Sequence, residues 1–294
     1  MARLGSFPGM SRSAWLDVDW PAHTRRALVD GSQMNYVDLG EGPAVVFVHG
    51  LGGSWQNWLE NVPHFAAAGH RCIAMDLGGF GESEVVDGEV SIERYGRAVK
   101  ELLDQLGIDR AAVIGNSMGG FIALELAIRE PQLVERLVLV SAAVLWQEYR
   151  RAKPLVVFAN ATEALAARAL AEVPGWLLRR RGLRSRALRF GGIRAQPSNE
   201  LQHELLLTAR RTAGFLPAFQ ALASYPLRDE LHAIRCPTLI VWGSADPLVG
   251  VGHAWELEQL IPGAEVSIHK GVGHVVQLEA PERFNREVEA FLLD

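Results

Sequence analysis

Cysteine is scarce in this chain of 294 residues, which has only Cys72 and Cys236. Two cysteines cannot build the dense disulfide framework of a small secreted scaffold. No cluster of cysteine and histidine shows zinc-ligand spacing. Long apolar runs are missing too: the longest, Leu137 to Trp146, falls well short of the roughly 20 residues that a bilayer span takes. The stretch Met1 to Pro21 contains no continuous apolar segment of the kind that directs export. These absences lead to the expectation of a cytoplasmic enzyme with free thiols, no membrane span and no nucleic-acid partner. Gly78-Gly79-Phe80-Gly81 is glycine-rich but lacks dinucleotide-binding spacing.

What is present is a 49% hydrophobic composition with 29 glycines, enough for one large α/β domain with an insertion. Its most informative part is Gly115-Asn116-Ser117-Met118-Gly119, which follows the apolar stretch Ala111 to Ile114 and opens the helix-like stretch Phe121 to Arg129. A buried strand that meets a Gly-x-Ser-x-Gly turn and then a helix lifts the serine hydroxyl clear of the backbone. That hydroxyl sits at a helix N-terminus, where unpaired N–H groups and the positive dipole end favour negative charge. Both effects point to acyl transfer, with Ser117 as nucleophile.

A base and an acid follow in the chain. Ala264 to His269 reads as a strand, and the loop Lys270-Gly271-Val272-Gly273-His274 precedes a last helix with Phe284, Val288 and Phe291 on one face. A histidine in a glycine-rich loop just past a strand can reach over the sheet edge toward a serine. Thr238 to Trp242 is another β-rich run, and the turn after it, Gly243-Ser244-Ala245-Asp246-Pro247, carries the only carboxylate near that strand's end. The order is therefore Ser117, Asp246, His274.

With these motifs the chain resembles the α/β-hydrolase family from about residue 24 to the end. Two further motifs support the resemblance: His49-Gly50-Leu51-Gly52-Gly53-Ser54 after the strand Ala44 to Val48, and Asp76 to Ser83 after the strand Cys72 to Met75. The family commonly has proline where Gly78 stands, a departure in a supporting loop. The resemblance implies a mostly parallel sheet flanked by helices with an inserted helical cap. The expected division is 1–23 as an N-terminal extension, 24–144 and 226–294 as the two parts of the core, and 145–225 as the cap.

An unassisted serine hydroxyl is a weak nucleophile, so His274 should take its proton as general base and return it to the leaving group. Asp246 should orient the imidazole and stabilise its charged form. By resemblance, the backbone N–H groups of Leu51 and Met118 form the oxyanion hole, and His49 and Gly50 shape the loop that carries Leu51. No metal or organic cofactor is needed. His269 lies in a strand pattern that could aim it either way and is a rival for the base. His203 and His253 lie on helix-like stretches and read as surface or satisfied core groups. The strand Leu137 to Val140 ends in Ser141-Ala142-Ala143, with no rival acid.

In the family's sheet order three strands separate those that carry the two cysteines, a gap of about 19 Å. A disulfide needs Cα atoms within about 7 Å, so both should be free buried thiols. Residues 145–225 show helix-like segments punctuated by Pro154, Pro174, Pro197 and Pro217, and should roof the site and select its ligand. They hold 13 Arg/Lys against 5 Asp/Glu, a net of +8, so the remainder carries −13. The densest part runs from Arg179 to Arg194. It reads as a solvated arginine-rich face, with attraction of anionic substrates or of a membrane surface as the sharper alternative.

The nucleophile type prunes the chemistries. Haloalkane dehalogenases and epoxide hydrolases use aspartate where this chain has Ser117. The first expectation is a carboxylic-ester hydrolase for small to medium acyl or aryl groups. The second is a carbon-carbon hydrolase of ring-fission products. Those enzymes commonly place Trp directly after the catalytic histidine, where this chain has Val275. The third, from another class, is a hydrolase-fold receptor that binds a small molecule with little or no turnover.

Overall fold

The computed structural model describes residues 13–143, 188–189, 192–194, 197–208 and 211–294. Eight strands form one sheet: β1 (Thr24–Val29), β2 (Ser32–Leu39), β3 (Ala44–Val48), β4 (Arg71–Met75), β5 (Ala111–Asn116), β6 (Val134–Val140), β7 (Thr238–Gly243) and β8 (Glu265–His269). Their order is β1-β2-β4-β3-β5-β6-β7-β8, with β1/β2 and β2/β4 antiparallel and every other pair parallel. The described helices are α1 (Trp20–His23), α2 (Val62–Ala67), α3 (Ile92–Gln105), α4 (Met118–Arg129), α5 (Asn199–Thr208), α6 (Phe215–Ser224), α7 (Gly252–Leu260), α8 (Val276–Glu279) and α9 (Pro281–Leu293).

The apolar runs in the sequence follow from burial on both faces, as parallel strands require. Successive residues of β3 alternate: Val46 and Val48 join the core under α3, α4 and α7, while Val45 and Phe47 join the core under α2 and α9. Val113 and Ile114 of β5 divide in the same way. Helix α3 starts at Ser91, whose hydroxyl accepts the Arg94 N–H at 3.0 Å. It buries Ile92, Tyr95, Val99, Leu102 and Leu103, a helical stripe facing the sheet.

Two expectations need adjustment. Helix α4 begins at Met118 rather than Phe121, so Ser117 is its N-cap. Cys72 is buried, but Cys236 is only half-buried because it lies just before β7 rather than inside it. Both thiols are free, with β3, β5 and β6 between β4 and β7. Residues 13–23 are also fastened to the core: Trp15 is buried and donates its indole N–H to Glu60 at 3.0 Å.

Strand order reverses around β3, which has β4 on one side and β5 on the other. Open α/β sheets bind their ligands in the crevice at such a switch point, outside the carboxyl ends of the strands. Nearly a hundred residues separate β6 from β7 in the chain, and the described helices among them are α5, α6 and a short 3-10 helix, Arg228–Ala233. Among the described residues no helix is long and apolar enough to cross a membrane.

Candidate active site

Ser117 stands in the turn between β5 and α4 with φ 56° and ψ −116°, a left-handed conformation rare for a residue with a side chain. Such a conformation costs about 1–3 kcal/mol and persists only where the surroundings over-determine it. Here the Ser117 N–H donates to the Val140 carbonyl at 2.9 Å, and the Ser117 carbonyl accepts from Ala143 and from Phe121, each at 3.2 Å. A Cβ at Gly119 would fall on the Val48 carbonyl oxygen, so only glycine lets α4 run this close to the end of β3.

His274 and Asp246 come together from the loops after β8 and β7. The His274 Nδ1 lies 2.7 Å from Asp246 Oδ2, with the aspartate side chain fully buried and the imidazole nearly so. Asp246 Oδ1 accepts the backbone N–H groups of Leu248 at 2.8 Å and Val249 at 3.0 Å. A carboxylate so saturated with donors is fixed in direction. It can only accept from the imidazole, so Nδ1 carries the proton and Nε2 is left as a proton acceptor.

Two contacts hold the His274 backbone. Its N–H donates to the Gly192 carbonyl at 3.0 Å, and its carbonyl accepts from Asn116 Nδ2 at 3.3 Å. Asn116 also donates to Val140 at 3.0 Å. The residue before the candidate nucleophile thus ties it to the loop of the candidate base.

The loop after β3 crosses the elbow. A Cβ at Gly50 would lie 3.1 Å from Ser117 Cβ, which places the Leu51 segment beside the serine. His49 is fully buried and locks this loop: its Nδ1 is 2.8 Å from the Gly50 carbonyl, and its Nε2 accepts the Leu77 N–H at 3.0 Å. A backbone N–H can only donate, so Nδ1 bears the single proton. Burial pushes the His49 pKa down to about 4, keeping the ring neutral. On the other flank, the Met118 N–H opens α4 and has no acceptor within that helix. The Leu51 segment, after β3, and Met118, at the start of α4, therefore flank Ser117.

The rival histidines lie elsewhere. His269 is buried in β8 and pairs through Nε2 with Glu287 of α9 at 2.7 Å; Ser267 bonds to the same carboxylate. His253 is on α7 beside Glu256, and His203 is exposed on α5. Among the described residues no group of three or more His, Cys, Asp or Glu could hold a metal ion.

Two features escaped the sequence. Asp76, quoted only within its motif, is a buried brace: Oδ1 accepts from Trp55 N–H at 2.8 Å, and Oδ2 accepts from Asn35 Nδ2 and Glu82 N–H, both at 2.9 Å. Burial raises its pKa to about 7, outweighing these donors. Gly192 is the other, an unmarked glycine far from every motif. Of the aromatic residues within 145–225, Phe215 and Phe219 lie on α6, while Trp146, Phe158 and Trp176 fall outside the described residues, as does most of the run Arg179 to Arg194.

Residues 43–281 match the family model described as the alpha/beta hydrolase fold. The chain belongs to the α/β-hydrolase family. This hydrolase is 31% identical over 270 residues to the 2-hydroxy-6-oxo-6-phenylhexa-2,4-dienoate hydrolase of Comamonas testosteroni, covering 88% of this chain and 91% of the relative. It is 32% identical over 268 residues to that organism's 2-hydroxy-6-oxononadienedioate/2-hydroxy-6-oxononatrienedioate hydrolase, covering 87% of this chain and 89% of the relative. Among solved structures it resembles Est816, an N-acyl homoserine lactone degrading enzyme, with a TM-score of 0.72, 27% identity and coverage of 91% of this chain and all of the other.

Proposed function

We propose that the hydrolase cleaves carboxylic esters of small to medium acyl or aryl groups through an acyl-Ser117 intermediate, with no cofactor. The observation that carries this reading is the His274–Asp246 pair at 2.7 Å, in a loop that Asn116 ties to the left-handed elbow of Ser117. Ser117 Oγ attacks the carbonyl carbon as its proton passes to His274 Nε2. The oxyanion points at the N–H groups of Leu51 and Met118; losing one such donor typically costs a hundred- to a thousand-fold, about 3–4 kcal/mol. Collapse breaks the bond to the alcohol, which leaves with the proton from His274. Water then repeats the cycle on the acyl-serine, and the carboxylic acid departs.

A second reading, cleavage of a carbon-carbon bond in a dienoic keto-acid, is favoured by the two Comamonas testosteroni relatives. The same machinery would serve, with the returned proton delivered to carbon. Val275 stands next to His274 where those enzymes commonly have tryptophan.

An organophosphonate probe tests the nucleophile directly. Intact-mass analysis should show one label on the parent and none on Ser117→Ala, and labelling that survives the substitution would remove Ser117. A panel of p-nitrophenyl esters of increasing length, run beside a meta-cleavage dienoate, then chooses between the two readings.

A further inference from the structure

The loop that carries Leu51 past Ser117 is held at both of its ends by two consecutive residues. At its start, His49 Nε2 accepts the Leu77 N–H at 3.0 Å; at its far end, the Trp55 N–H donates to Asp76 Oδ1 at 2.8 Å. Between these points the Gly53 N–H donates to the Gly50 carbonyl at 3.0 Å and closes a turn. Leu51 lies inside that turn, and its N–H has no acceptor among the described residues. A donor left over beside a candidate nucleophile is free to meet a ligand.

Asp76 is itself held firmly. Its Oδ2 takes the Asn35 amide and the Glu82 N–H, and its backbone carbonyl accepts the Ser83 hydroxyl at 2.7 Å. Its own N–H donates to the Asn35 carbonyl at 2.9 Å, just past the paired part of β2 and β4. A Cβ at Gly81 would overlap the Asp76 carboxylate, so the loop after β4 wraps closely around this buried group. The three groups that bond to the carboxylate are all donors, which suits the ionised form, whose oxygens only accept.

We infer that Asp76 is a positioning residue for the oxyanion hole: through the Trp55 N–H it sets the span of the loop, and hence where the Leu51 N–H points. This rests on the acyl-Ser117 reading, in which that N–H meets the oxyanion. An oxyanion donor is effective only about 2.7–3.1 Å from the place the charged oxygen will occupy. A displacement of about 1 Å can cost a hundredfold in rate. Without the Asp76 contact, the turn keeps its His49 end and loses the other. Met118 opens α4 and does not depend on Asp76, so one donor stays in place.

Thionoesters, with C=S in place of C=O, report on those donors, because sulfur accepts hydrogen bonds weakly and gains little from them. The rates for p-nitrophenyl benzoate and its thionoester are compared at about pH 8.5, above the Asp76 pKa of about 7. Each rate is normalised to the sites that the phosphonate probe labels at completion. In Asp76→Asn an N–H replaces one accepting oxygen. Its kcat for the oxygen ester should fall about ten- to a hundredfold with KM little changed, and that for the thionoester no more than about threefold. The ratio of the two rates therefore narrows, whereas a loss of folded protein would scale both alike. A second pair of variants isolates the hydrogen bond if Asp76→Asn does not fold: Trp55→Pro lacks the N–H, and Trp55→Ala keeps it. Ser54 is extended, with φ −160° and ψ 178°, and Trp55 opens the 3-10 helix Trp55–Trp58, so proline suits the position. The ratio should be narrower in Trp55→Pro than in Trp55→Ala. An unchanged ratio in Asp76→Asn, or equal ratios in the two Trp55 variants, overturns the positioning role and leaves Ser117 untouched. A parent that turns over neither ester removes the acyl-Ser117 reading, and with it the oxyanion hole.

Discussion

The carbonyl oxygen of Gly192 accepts the backbone N–H of His274 at 3.0 Å, although the two residues are 82 positions apart. A residue of the chain between β6 and β7 thus touches the loop after β8 directly. Gly192 has φ +83°, and an added Cβ would press on His274 Cβ and the Leu248 side chain. Gly192→Ala should lower kcat by at least about tenfold through displacement of the imidazole. It should also cost more than about 1 kcal/mol of stability from the left-handed backbone. Steady-state kinetics and a urea titration read the two effects separately, and an unaltered kcat would show that this contact does not position His274.

Replacing Asp246 with Asn should leave the fold intact while lowering kcat by roughly ten-thousand-fold, the loss known from the equivalent change in another triad. The amide cannot hold the imidazole in the required tautomer. Circular dichroism checks the fold, and activity within a few-fold of the parent would mean that another carboxylate orients His274.

Asn116→Ala withdraws one amide from two carbonyls, those of Val140 and His274. The Val140 carbonyl keeps the Ser117 N–H, so the His274 carbonyl is the one left unpaired, at a cost of about 1–3 kcal/mol in a buried site. If the amide also holds the His274 loop in place, kcat should fall about tenfold with KM little changed. A stability loss with undiminished kcat would confine Asn116 to a structural role.

Protonation of His49 should be felt in stability. Its pKa falls from 6.5 to about 4 on folding because burial disfavours the charged ring. The folded state binds fewer protons between those values, so its contribution is complete above pH 6.5 and is lost as pH falls through 4, a change of about 3 kcal/mol. Asp76 has the opposite sign: raised to about 7, it favours the folded state at acid pH and loses that contribution as pH rises through 7. In urea unfolding, the cost of His49→Gln should shrink by about 2–3 kcal/mol between pH 7 and pH 4.5. A cost equal at both pH values would mean that His49 is not held neutral.

The central strands were legible because burial on both faces writes them as unbroken apolar runs, as in Val45 to Val48 and Leu137 to Val140. The loops after them were legible because glycine marks each place where backbone must pass close to backbone. The edge hairpin β1–β2 carried a weaker signal. Arg25, Arg26 and Leu28 of β1 are exposed, so its alternation does not follow hydrophobicity. Asp76 and Gly192 were hidden for another reason: each has partners distant in sequence, Asn35 and Trp55 for the one and His274 for the other, and pairings of that kind leave no local pattern. Asn116 was visible as part of the elbow motif, but its bond to His274 exists only once the sheet has formed.

That bond joins residues 158 positions apart. During synthesis at about 5–20 residues per second, the strand and turn that carry Ser117 emerge roughly 10–30 s before His274. Throughout that interval the growing chain holds a serine without its candidate base, and for most of it without its candidate acid, at a turn whose conformation depends on β6 and on the loop after β3. A ribosome-bound fragment ending before β8 would therefore be inert toward esters, and reactivity would be the last property the nascent chain acquires.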